Sequence, residues 1–178
     1  MAPTYFDLLG LPTRYALDAA EVERNYLARS RETHPDYHQQ TSTAQQRVSM
    51  EMTAALNEAY ATLKHPFRRA EYLLALHGGP TAAEAKEMAP AFLEEMLELR
   101  MEIEELRHGD RDAPARAGME KQLRQRNEAL AADLGRRFAE VEALPPNDPQ
   151  RQRVLLQVRQ LLNAARYVQN LLRDLRAD

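Results

Sequence analysis

The sequence predicts an all-α protein on three observations. Its charged and long-chain positions are mostly Glu, Arg, Leu, Ala and Gln, good helix formers and poor strand formers. Only 6% of the 178 residues are aromatic. Proline and glycine fall between long stretches free of either, as in a helical protein whose breaks are confined to turns. With 44% hydrophobic and 29% charged residues, the composition is that of a folded chain, and the length suits one domain or two small ones.

Asp18 followed by Glu21 has the spacing of a capping box, so a helix is expected from about Ala19 to Glu32, stopped by Pro35. A loop from His34 to about Ser42 leads into a second long helix, Ala44 to Lys64. There Val48, Met52, Leu56, Ala59 and Leu63 recur at steps of three and four, and His65-Pro66 ends the run. These two helices are expected to pack antiparallel. A shorter helix, Phe67 to about Leu76, meets His77-Gly78-Gly79-Pro80, the strongest break in the chain. The expected organisation is a first domain over 1–76, a linker over 77–90 and a three-helix bundle over 91–178.

In the bundle, the first helix carries Phe92, Met96, Leu99, Ile103 and Leu106 at heptad steps. The last carries Val154, Val158, Leu161, Ala165, Val168, Leu172 and Leu175. Between them, roughly Pro114 to Leu144, a less regular stripe of Leu123, Leu130, Leu134, Phe138 and Val141 is interrupted by Gly118 and Gly135. Pro145 to Pro149 makes the last turn.

Zero cysteines exclude disulfides, Cys-ligated zinc, a thiol nucleophile and direct thiolate ligation of an iron–sulfur cluster. No targeting pattern and no run near 18 apolar residues is present, so the expectation is a cytoplasmic protein without a membrane partner. A net charge of -3 without a basic block argues against nucleic acid. His34 and His38 are four apart, but Pro35 prevents a continuous helix through them, so no metal is expected there. No catalytic constellation or phosphate loop emerges, and neither enzyme activity nor a cofactor is expected.

The most informative residues are His34, Pro35 and Asp36, between the two long helices. Alone, the tripeptide reads first as a turn in which Pro35 stops a helix and Asp36 bonds the loop backbone. Its context is Tyr26 before it and, after it, Leu56-Asn57-Glu58-Ala59-Tyr60-Ala61-Thr62-Leu63, a proline, and Arg68-Arg69-Ala70-Glu71-Tyr72. With the opening Tyr5-Phe6-Asp7-Leu8-Leu9-Gly10-Leu11-Pro12, residues 4 to 76 resemble a J-domain. That resemblance implies a helical hairpin whose His34-Pro35-Asp36 tip stimulates ATP hydrolysis by a DnaK-type chaperone. Further matches run through Arg69 to Gly78 and Ala91 to Arg100, followed by a bundle of fitting length, and are similar to the HscB family of iron–sulfur cluster assembly co-chaperones. The family implies two partners, an HscA-type chaperone met by the J-domain and an IscU-type scaffold met by the bundle. Thr33, Tyr37, Arg29 and Met101 depart from the family pattern, and Arg29, where Leu is usual, is expected to snorkel or be exposed. The absence of an N-terminal cysteine-based metal site favours a bacterial-type member.

Two surfaces follow. Arg24 and Arg31, seven apart on one helix face with Arg29 nearby, are candidates with the loop for chaperone binding. Taken alone, they also read as a solvated face shared with Glu23 and Glu32. In the first bundle helix, Leu93, Leu97 and Met101 form a second apolar strip bordered by Glu94, Glu98, Glu102 and Glu105. Leu93, Leu97, Glu98, Met101 and Glu105 are the candidate scaffold-binding residues. The alternative is that Leu93 and Leu97 widen the core stripe or pack on the J-domain. Leu162 and Ala165 either complete this patch or belong to the bundle core. The rival reading of the whole chain is a helical regulatory adaptor whose His-Pro-Asp is only a turn.

Overall fold

The computed structural model describes residues 2–33, 43–88, 90–108 and 113–177. Among these residues seven α-helices follow in order: α1 Tyr5–Leu9, α2 Ala19–Thr33, α3 Thr43–Lys64, α4 Pro66–Leu76, α5 Pro90–His108, α6 Ala113–Ala143 and α7 Pro149–Arg176. Among the described residues there is no strand. Contacts divide the chain into two compact units, Met1–Leu73 and Leu74–Asp178.

In the first unit, α1 is a helix that periodicity could not reveal, being only five residues long. Its signal is the spacing Thr4-x-x-Asp7. Thr4 Oγ1 accepts from the Asp7 backbone N–H at 3.2 Å and Asp7 Oδ2 accepts from the Thr4 backbone N–H at 2.8 Å, a reciprocal cap. Thr4's hydroxyl and then its backbone N–H hold the Asp7 carboxyl below its ordinary value. Phe6 and Leu9 are fully buried. Tyr5 stacks on Tyr72 at 4.3 Å, and its backbone N–H donates to Tyr72 Oη at 2.9 Å.

Helix α2 begins where expected, with Asp18 Oδ1 accepting from Ala20 N–H at 3.0 Å. It buries Val22 and lays Tyr26 on Tyr60, rings 4.2 Å apart and 12° from parallel. Tyr26 Oη donates to Asn57 Oδ1 at 2.8 Å, and Ser49 Oγ donates to the Thr33 carbonyl at 2.6 Å. Partners that descend along α3 as α2 ascends make the pair antiparallel. The α3 stripe is core only in its second half. Leu56, Ala59 and Leu63 are buried, whereas Val48 and Met52 are 62% and 39% exposed. Their neighbour on α2 is the polar Thr33, which offers no apolar partner. Arg29 is half exposed beside Glu32 at 3.7 Å.

The second unit opens on the last turn of α4. The Gly78 N–H bonds to Ala75 O and the Gly79 N–H to Leu74 O, and Gly78 adopts φ +69°, a Schellman ending that favours glycine. Segment 77–88 is bound to α7. Arg159 Nε donates to Pro80 O at 2.9 Å and Asn163 Nδ2 to Ala85 O at 2.8 Å. Arg151 caps the end of α6 by donating to the carbonyls of Val141 and Leu144, and its other Nη meets His77 Nδ1 at 2.9 Å. Asp148 caps α7, accepting from Gln150 N–H at 2.7 Å ahead of Pro149.

The heptad seams follow the spacing with two corrections: on α5, Phe92 and Leu106 are only half-buried beside the buried Met96, Leu99 and Ile103. On α7, Leu161 and Leu172 are only half-buried, while Leu155, Leu162 and Leu171 are buried beside Val154, Val158, Ala165, Val168 and Leu175. Serving α5, α6 and segment 77–88 together, α7 buries two adjoining stripes rather than one. On α6, Leu123, Leu130, Leu134, Phe138 and Val141 are buried, and neither Gly118 nor Gly135 breaks the helix. The cost of about 1 kcal/mol per helical glycine is outweighed by that packed face.

Candidate partner-binding surfaces

His34, Pro35, Asp36, Tyr37 and His38 lie outside the described residues. The residues that flank them are defined: α2 ends at Thr33, α3 begins at Thr43, and the Ser49–Thr33 hydrogen bond joins the two helices near these ends. Arg24 and Arg31 are both exposed on α2. Beside the same ends of the hairpin is a groove that the sequence reading missed, lined by Thr33, Ala44, Val48, Ser49 and Met52. Its signal was present in Val48 and Met52, which the periodicity assigned to the core.

On α5 the structure separates two apolar faces. Met96, Leu99 and Ile103 are 0%, 6% and 2% exposed, whereas Leu93, Leu97 and Met101 are 43%, 56% and 53% exposed. The strip of three is therefore surface and does not widen the core. Steps of four along a helix align these residues in one row. Glu94, Glu98, Glu102 and Glu105 are all exposed beside it. An apolar row with a carboxylate margin provides burial for affinity and charge for register. Leu162 and Ala165, at 3% and 1% exposed, belong to the core and not to this surface.

Among the described residues no group of three or more His, Asp or Glu side chains is arranged to hold a metal ion. No helix among them is long and apolar enough to cross a membrane. The hydrogen-bonded and shifted groups are structural. Burial raises the Tyr15 hydroxyl against the opposing effect of Arg69, whose guanidinium lies 5.2 Å from the Tyr15 ring. Burial first and Arg151 second lower His77 below its ordinary value.

Comparison with known proteins covers both units. The DnaJ domain profile matches residues 4–72, and the profile described as the HSCB C-terminal oligomerisation domain matches residues 88–176. A Bordetella avium protein named co-chaperone protein HscB homolog is 39% identical over 134 residues, 75% of this chain and 78% of that one. The structure of chaperone HscB from Vibrio cholerae superposes with a TM-score of 0.79 at 26% identity, over 97% of this chain and 95% of that one. The crystal structure of human co-chaperone protein HscB gives a TM-score of 0.80 at 24% identity, over 98% and 81% of the two chains, a likeness of fold. With both units matched in chain order, this chain belongs to the HscB family, the J-domain co-chaperones of iron–sulfur cluster assembly.

Proposed function

We propose that the chain couples two partners through separate surfaces. The hairpin of α2 and α3, with His34-Pro35-Asp36 between them and Arg24 and Arg31 on α2, engages an HscA-type chaperone of the DnaK class and stimulates its ATP hydrolysis. The α5 strip of Leu93, Leu97 and Met101, with Glu98 and Glu105 beside it, holds an IscU-type scaffold and brings it to the chaperone. The observation that carries this reading is the strip itself: three large apolar side chains about half exposed along one helix row, an arrangement that favours a protein partner.

Chemically the chain acts by contact. Exposed arginines on α2 steer encounter with an acidic chaperone surface and make it salt-sensitive. Burial of the α5 strip supplies affinity for the scaffold, and simultaneous occupancy raises the scaffold's effective concentration at the chaperone.

The test is single-turnover ATP hydrolysis by the HscA-type chaperone with wild type and His34→Gln, each with and without scaffold. Wild type is expected to accelerate hydrolysis further when scaffold is present. His34→Gln is expected to abolish the acceleration while binding scaffold as tightly as wild type. Equal and unstimulated hydrolysis with both proteins favours the adaptor reading, and lost scaffold affinity in the variant contradicts the separation of roles.

A further inference from the structure

A cleft of about 460 Å³ opens between α5, α6 and α7, wholly within the second unit, a size typical of ligand pockets. Phe92, Leu130 and Leu161 give it an apolar lining. Phe92 and Leu161 are seam positions by heptad spacing, yet both are only half-buried, so the bundle core is open here. The cleft adjoins a different flank of α5 from the Leu93 row. At 100° per residue Phe92 and Glu95 turn away from Leu93, Leu97 and Met101, and Glu95 meets Arg126 of α6 at 2.8 Å.

The two long walls differ in chemistry. From α6 come three cations, Arg126, Arg136 and Arg137, against one carboxylate, Asp133; from α7 come Gln157 and Gln160. Arg126 stands over the Phe92 ring at 5.8 Å, and its Nε is buried without a hydrogen-bond partner. Arg137 donates to both carboxylate oxygens of Glu140 at 2.9 Å, and Arg136 pairs with Asp133. These last two pairs are partly exposed and local to one helix, so they contribute little and exchange readily for an incoming carboxylate. On the α7 wall Gln157 is exposed and Gln160 half-buried. Each carboxamide offers donors and an acceptor, which suits the alternating N–H and C=O of an extended main chain. An aliphatic carboxylate would leave both unused.

We infer that this cleft binds an extended acidic peptide segment. One large apolar side chain of the segment rests on Phe92 and Leu161, its carboxylates meet Arg136 and Arg137, and its main chain bonds Gln157 and Gln160. The site goes beyond the two surfaces proposed above and does not depend on them.

The experiment uses the full chain and a fluorescein-labelled peptide, Glu-Asp-Phe-Glu-Asp, capped at both ends. Fluorescence anisotropy measures binding, and backbone amide NMR shifts locate it. The expected result is saturable binding with shifts centred on the α6 and α7 residues of the cleft. Replacing the peptide's acids by Gln and Asn is expected to weaken binding about tenfold or more, as is combining Arg136→Gln with Arg137→Gln in a protein of unchanged helical circular dichroism. The peptide comparison needs no protein variant, so the inference stays testable even if the double variant misfolds. Absence of saturable binding, equal affinity for the neutral peptide, or shifts centred on Leu93 to Met101 would overturn the inference. So would cleft shifts produced by decanoate but not by the peptide.

Discussion

At the scale of single residues, Leu93 and Leu97 carry the clearest consequence. Both are about half exposed, on a helix whose core is made by Met96, Leu99 and Ile103, so polar replacements alter this surface without opening the bundle. Covering two such leucines is worth about 2 kcal/mol at the usual apolar-area coefficient, roughly thirtyfold in affinity. Leu93→Ser with Leu97→Ser is therefore expected to weaken scaffold binding by that factor in calorimetric titration, with unchanged basal stimulation of the chaperone. Equal scaffold affinity for variant and wild type would sink the assignment. Arg29 illustrates a residue whose place was readable in advance. A cation among apolar positions was expected at the surface, and it is half exposed beside Glu32.

At the scale of elements, the close of α4 is the most tightly constrained join. A Cβ at Gly79 would come 2.1 Å from Leu74 Cδ1 and 2.8 Å from Leu74 Cγ, and Leu74 is fully buried, so it has little room to withdraw. Gly79→Ala is expected to destabilise the protein by about 1–3 kcal/mol, the usual range for overpacking, read as a lower urea midpoint; an unchanged midpoint would show that Leu74 yields. Most long helices were legible because their stripes run three turns or more and their ends carry Pro, Gly or Asp. Helix α1 was not, since five residues hold too little periodicity. The spacing also could not say that α7 buries two stripes, or that Val48, Met52, Phe92 and Leu161 lose their expected cover. Those outcomes depend on which neighbours arrive, and a one-dimensional pattern does not contain them. The three arginines and two glutamines of the bundle cleft were invisible for the same reason, being brought together by packing.

At the scale of the whole molecule, proton binding becomes a stability term through His77. Its Nδ1 accepts from Arg151, its Nε2 is buried without a partner, and its ring lies 6.4 Å from that of Phe138. Burial, reinforced by the Arg151 charge, lowers its folded pKa below the ordinary 6.5. The unfolded chain therefore binds more protons between the two pKa values, and stability rises with pH there. This contribution is fully present above the unfolded value and is lost as pH falls through the folded one. The expected outcome is a urea midpoint that drops between about pH 7.5 and about pH 5. The drop should be smaller in His77→Asn, which can still accept from Arg151 but does not titrate. Identical pH dependence in the two proteins would remove His77 from the account.

The Tyr5–Tyr72 stack joins residues 67 apart in sequence, and Arg116 Nη2 donates to Leu175 O across 59 residues. The first unit is thus fastened near its own two ends, and the second ties the start of α6 to the end of α7, which orders events during synthesis. The first unit lacks its closing contact until residue 72 has emerged, and thereafter can complete before the second exists. The second waits for the last turns of α7, so its apolar seams lack their central helix until those turns have been made. Chains arise N-terminus first, and exposed seams are what neighbouring chains capture. The C-terminal unit, rather than the hairpin, is where a stalled or truncated chain would aggregate.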